Sequence, residues 1–421
     1  MTLRDAHLHI GAYGESLEAV DLADCGSAED ALARIAESAA SVPSEGWVTA
    51  IRARPEGWSE PRWPSHAELA RAAGGRPAVI RSFDIHSRVA STDALRLAGI
   101  DRATPDPPGG RIDRDAHGQP TGLLLEAAAF LLDSAVPAVT HEQLVRRVKL
   151  AADDLAARGF VEVHDMWTDR PLARAVRALD AAGELPLRVG LAPLHETMAC
   201  CLADEAFAPS ERVRTVGIKV FTDGTLNSRT AHMLEPYAEP DPAHPRGMPL
   251  MSADEIAAAV RDADNAGLPL IAHAIGDAAV RTCLDAITAA APSTPGQRIE
   301  HAQFVDPADT PRFAAMGIIA SVQPCPLLPD VEALRRLVPH RLERAFPLRD
   351  LVDAARDAGR DPAELVWMGS DAPVVPPCPG DNEQAAVRRC RPGTEPIALE
   401  QAITADECRA LSQASPEWGA A

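Results

Sequence analysis

Residues 253–301 read ADEIAAAVRDADNAGLPLIAHAIGDAAVRTCLDAITAAAPSTPGQRIEH. Over 253–266 and 278–290 apolar side chains recur at three- and four-residue spacing, which predicts two helices with one covered face each. The short segments 268–273 and 298–301 predict strands, Gly267 closes the first helix, and Asp277 is expected to cap the second. Helix, strand, helix, strand in this order describes a parallel sheet with helices packed on it.

The same alternation extends both ways. Strands are expected at 4–9, 160–164, 187–194, 217–222, 318–322 and 365–369, and helices at 142–158, 170–182, 307–316 and 348–358. Eight strands, mostly with a helix after each, point to an α/β closed parallel barrel. The rival, an open doubly wound sheet, usually carries a Gly-rich phosphate loop, and none is present. The gap after the first strand holds strand-like pieces at 47–52 and 77–83 and a turn-rich tract at 105–110. We read 46–132 as an insertion over the barrel mouth, 1–45 with 133–385 as the barrel, and 386–421 as a peripheral tail.

Composition narrows the function. The 421 residues carry 41 basic and 61 acidic side chains, a net charge of −20, and 46% are hydrophobic, as in ordinary folded proteins. The acidic balance argues against nucleic acid and against an anionic membrane surface, leaving a small-molecule substrate; a homo-oligomer stays open. The N-terminal MTLRDAHLHIGAYG has no signal-peptide pattern, and no run approaches the roughly 20 apolar residues of a membrane span. Eight scattered cysteines without a CxxC fit a reduced cytoplasm.

Five residues stand where a parallel barrel builds its site. His7 and His9 are two apart on the first strand and so share a face. His273 and His301 end their strands, and Asp371 follows the last one in Gly-Ser-Asp-Ala-Pro. Imidazole and carboxylate at one strand end suit a divalent metal: zinc first, with manganese, iron or nickel not separable by spacing. Lys219 sits mid-strand in GIKVFTDG (217–224), one of only two lysines against 39 arginines. A buried ammonium beside metal ions would be repelled, whereas a CO2-derived carbamate offers two bridging oxygens that arginine cannot supply. The alternative is a snorkelling or salt-bridged lysine.

These segments, with GIKVFTDGTLNSRTA, IAHAIGDAAV, RIEHAQFVDP, SVQP and GSDAP, resemble the amidohydrolase superfamily, specifically amidohydrolase family 3 with its N-substituted formamide deformylase-like branch. The resemblance runs in family order from about 5 to 376. It implies a distorted (β/α)8 TIM barrel of the metal-dependent hydrolase type with an insertion after the first strand. It also implies two metals: His7 and His9 on one, His273 and His301 on the other, carboxylated Lys219 bridging, and Asp371 completing the first. RSFDIHSRVAS and TGLLLEAA resemble the family's insertion and bring His86 and Glu126 toward the mouth. Family members usually have about fifty residues before His-x-His and a closing segment that together form a β-sandwich, so no accessory sandwich is expected here. Cys325-Pro326 stands where a Thr-His pair is common, and Asn227 replaces a usual glycine.

The expected reaction is hydrolysis of an amide-type C–N bond of an N-acyl or N-formyl amine, since a bound metal lowers the pKa of water from 15.7 toward about 7. Asp371 would take the proton and return it to the leaving amine. Arg229 is a candidate for a substrate carboxylate or carbonyl, or else a surface arginine. His86 is a candidate oxyanion donor, or else a structural hydrogen bond. His164 and Asp165 are expected behind the ligands. Two alternatives stand: a mononuclear deaminase of a heterocyclic amine, disfavoured by Lys219 and by Glu300 directly preceding His301, and a truncated non-catalytic family member.

Overall fold

The computed structural model describes residues 2–43, 46–82, 87–107 and 110–414. It divides into two compact units, Met1–Gly14 with His141–Ala421, and Glu15–Thr140. The chain opens with β1 (Leu3–Leu8) in the first unit. The second unit then carries β2 (Val20–Asp21), β3 (Val48–Ala53), β4 (Ala78–Ser82), β5 (Ser87–Ala90), β6 (Gly110–Arg114) and β7 (Pro120–Glu126). They form one mixed sheet in the order β2-β3-β4-β5-β7-β6. β3 and β4 are the strands expected at 47–52 and 77–83. Leu22 and the helix Ala28–Ala39, started by Ser27 accepting from Asp30 N, pack into this unit's core with Leu69 and Ile80.

The first unit continues with β8 (Phe160–Asp165), β9 (Arg188–Leu191), β10 (Val213–Thr215), β11 (Ile218–Phe221), β12 (Leu270–Ala274), β13 (Arg298–His301), β14 (Ile319–Val322) and β15 (Val366–Met368). Two all-parallel sheets result, β1-β8-β9-β10 and β11-β12-β13-β14-β15. Crossover helices cover them, including Arg170–Ala181, Ala253–Asn265, Asp277–Ala290, Thr310–Met316 and Leu348–Asp357. Arg170–Ala181 shows why. Asp169 accepts from Leu172 N at 2.8 Å to start it, and Leu172, Val176 and Leu179 form its buried face. Each such side chain contributes about 1.5–3 kcal/mol when fully buried.

The strand expected at 217–222 is β11, and just before it stands β10, a short strand the sequence reading lacked, with a different partner. β10 pairs with β9; past Gly217 the chain pairs with β12 instead. A Cβ on Gly217 would stand 2.7 Å from both Pro269 O and Ile271 Cγ1, so glycine permits the changeover. Single parallel bridges, Leu194 with Lys219 and Leu8 with Ala372, link the two sheets. The ladders therefore form two sheets of an α/β fold, where a closed ring was expected; between the sheets the pairing shrinks to one residue pair at each place.

The described part of 386–421 is also not peripheral. Ala386, Ile403, Cys408 and Leu411 pack in one core with Val366 and Met368. Arg389 is fully buried because its guanidinium meets three carbonyls, Ile397 O, Phe346 O and Ala345 O. Ser412 O accepts from Arg4 N at 2.8 Å and Ala414 N donates to Thr2 O at 3.0 Å, which lays this end along β1. The composition of this stretch hides a few well-placed apolar residues. All eight cysteines are free. Among the described residues no helix is long and apolar enough to cross a membrane.

Candidate metal centre

The ends of β1, β13 and β15 bring the expected side chains together. His7, His301 and Asp371 each offer one ligand atom, all within 4.8 Å of one another. His7 Nε2 and His9 Nε2 each lie 3.4 Å from Asp371 Oδ1. The His301 ring is 4.8 Å from that of His7 and 4.5 Å from that of His273, so the four imidazoles run as one row, with His9 5.7 Å beyond His7. His301 and Asp371 both have left-handed backbones, φ +71° and +62°. Non-glycine residues rarely hold this conformation, and it concentrates at functional sites. Gly369 makes room for the approach: a Cβ there would stand 2.6 Å from His7 N.

Lys219 is 1% exposed, and its Nζ has no hydrogen-bond partner among the described residues. Burial pushes its pKa down from 10.5 to about 8, against the opposing pull of Glu300 and Asp371. Burial and the nearby Lys219 likewise push His273 down to about 3, and burial with His273 and His7 holds His301 well below its usual value. These two imidazoles are neutral at pH 7, the form in which histidine ligates metal. For Asp371 burial alone would raise the pKa, but His7, His9 and His301 prevail and keep it ionised.

A layer of buried polar residues lies behind the row: besides the expected His164 and Asp165 it holds Glu162, Asp223, Arg298 and Glu300, to which sequence reasoning gave no role. His7 Nδ1 is 2.6 Å from Glu300 Oε2, and Glu300 Oε1 is 2.7 Å from Arg298. Arg298 also reaches Ala6 O at 2.8 Å, Ser321 Oγ at 3.2 Å and His164 Nδ1 at 2.9 Å. Beyond, His164 Nε2 is 3.1 Å from Glu162. His164 thus stands two residues removed from His7. Asp165 accepts from Ile10 N at 2.8 Å and Thr168 Oγ1 at 2.6 Å, clamping the turns after β1 and β8. Asp223 accepts from Ile275 N, Gly276 N and His232 N, and lies 3.5 Å from His273 Nε2. Burial raises its pKa to about 7 against those three donors. The available signal was Arg298 and Glu300 on either side of Ile299 in an expected strand, two charges sharing one face.

Other expected residues fall elsewhere. His86 lies outside the described residues. Arg229 is on an exposed turn, φ +58°, donating to Glu239 O at 3.3 Å; no contact joins it to the cluster among the described residues. Glu126 ends β7 in the second unit. Asp277 does not cap its helix. Gly276 holds that place, while Asp277 accepts from Leu234 N and pairs with buried Arg341, fixing the long segment after β11.

Parallel sheets with histidines and an aspartate at the strand ends define the class, an α/β protein with a metal-type centre. Residues 3–414 match the profile described as "Amidohydrolase family", and the chain belongs to that family, in amidohydrolase family 3. By class it is a hydrolase of carbon–nitrogen bonds. The Bacillus subtilis (strain 168) protein described as "Putative amidohydrolase YtcJ" is 31% identical, over 91% of this chain and 72% of its own. The N-substituted formamide deformylase of Arthrobacter pascens is 27% identical, over 98% and 77%. The crystal structure of an uncharacterized metal-dependent hydrolase from Pyrococcus horikoshii OT3 superposes with a TM-score of 0.79 at 26% identity, covering 98% of this chain and 79% of that one.

Proposed function

We propose that this protein hydrolyses the amide-type C–N bond of an N-acyl or N-formyl amine at a two-metal centre. His7, His9 and Asp371 would hold one ion, His273 and His301 the other, with Lys219, carboxylated by CO2, between them. The convergence of His7, His301 and Asp371 within 4.8 Å carries this reading. The donor set fits a divalent ion of zinc type. The buried Nζ of Lys219, with no hydrogen-bond partner among the described residues, fits as well. With its pKa near 8 a larger neutral fraction is available to add to CO2, losing one proton, than in an ordinary lysine. Bound there, the metal supplies a Lewis acid that polarises a carbonyl and acidifies water. Asp371, ionised and at the edge of the row, takes the proton of the attacking water and returns it to the departing nitrogen.

Two further features of this reading have specific support. The bridges Leu8 with Ala372 and Leu194 with Lys219 support one distorted (β/α)8 barrel with β10 and β11 together as its fourth strand. Eight free thiols support a reducing, cytoplasmic location. The tight group of three ligands favours a second reading, a single-metal enzyme. Elemental analysis of the purified protein, coupled to a screen of N-acyl and N-formyl amines, decides. About two metals per chain with amine release supports the first reading, one metal supports the second, and none removes both.

A further inference from the structure

Behind the histidine row runs a connected set of buried groups: Glu162, His164, Arg298, Glu300 and His7. A carboxylate only accepts, so at 2.6 Å the His7 Nδ1 facing Glu300 Oε2 must carry the proton. That leaves the Nε2 lone pair, 3.4 Å from Asp371, as the one ligating position on this ring. Arg298 Nη2 lies 2.7 Å from the other oxygen of Glu300, an ion pair that favours this orientation of the carboxylate. Arg298 is itself fixed by Ala6 O, Ser321 Oγ and His164 Nδ1, on three separate strands. As the guanidinium cannot accept, His164 must carry its proton on Nε2, toward Glu162.

We propose that Glu300, held by Arg298, is a positioning residue that fixes His7 as the Nδ1-protonated tautomer and aims its Nε2 at the metal. This rests on His7 being a ligand, as read above. Outer partners of this kind tune metal affinity by about 10–100-fold. The pairing is also expected to stabilise the fold, so loss of stability in Glu300→Gln, which strands a buried guanidinium, does not by itself distinguish the roles. Two readouts do.

The first is the 15N–1H multiple-bond spectrum of the metal-free protein, recorded above the titration of His7 and assigned by loss of its signals in His7→Asn. Wild type should show a single Nδ1–H pattern and Glu300→Gln a mixture of tautomers. The second is Zn2+ affinity by competition with a chromophoric chelator, below the melting transition. Glu300→Gln should bind about 10–100-fold more weakly. Arg298→Met/Glu300→Gln, which removes both charges, should recover stability without recovering affinity. A double variant that binds Zn2+ as tightly as wild type, or a Glu300→Gln spectrum with the unaltered His7 pattern, overturns the proposal. A wild-type protein that takes up no Zn2+ would remove the metal-centre reading, while the tautomer spectrum would still test Glu300.

Discussion

Replacing Lys219 by methionine should shift stability in opposite directions in the metal-free and loaded protein. In the bare fold its ammonium is buried without a hydrogen-bond partner among the described residues, and burial lowers its pKa from 10.5 to about 8 against the pull of Glu300 and Asp371. At 1.36 kcal/mol per unit, holding the charged form inside costs roughly 3 kcal/mol. Between pH 8 and 10.5 the unfolded chain binds more protons at this residue than the folded one, so the stability of the bare wild type rises with pH across that window. Below pH 8 the lysine is protonated in both states and the full penalty remains. Lys219→Met removes the penalty and keeps the volume. Stripped of metal and CO2, it should be more stable than wild type by roughly 3 kcal/mol at pH 7, with the gap closing toward pH 10.5. With Zn2+ and bicarbonate the order should reverse, because the variant cannot form a carbamate. Melting curves of both forms across this range test it. A variant less stable than wild type when stripped at pH 7 would show that Lys219 is not a buried burden, and one that gains as much from Zn2+ and bicarbonate would exclude a carbamate.

Asp371→Asn should retain metal, by elemental analysis, and lose roughly 10²–10⁴-fold in kcat, the usual contribution of a positioned acid–base group; full turnover with metal bound would exclude Asp371 as the base. Gly369→Ala places a Cβ 2.6 Å from His7 N and 2.7 Å from His7 Cβ, so His7 must shift, and chelator competition should show Zn2+ binding at least roughly tenfold weaker. Arg341→Met leaves buried Asp277 without its cation, and denaturant unfolding should show a loss of about 3–5 kcal/mol.

The histidine row was legible because strand alternation and strand ends are local: His7 and His9 share a face in any regular strand, and His273, His301 and Asp371 end or follow expected strands. Lys219 stood out chemically, as one of two lysines among 39 arginines. What stayed hidden depends on which strands become neighbours. Nothing local says that Glu300 meets His7, 293 residues away, or that Arg298 meets His164. Gly217 reads as a strand residue until Pro269 and Ile271 are placed beside it. The chain also joins the second unit at Glu15, inside the nine-residue helix Ile10–Glu18, where no change of periodicity marks the passage. Asp277 sits where caps sit; its real partners, Leu234 and Arg341, come from other segments.

Zinc-edge anomalous diffraction from crystals grown with Zn2+ and bicarbonate tests the centre most directly. Two peaks are expected, one bounded by His7, His9 and Asp371 and one by His273 and His301, with density extending from Lys219 Nζ between them. Zinc bound away from these side chains, or a bare Lys219 beside an occupied site, would contradict the account.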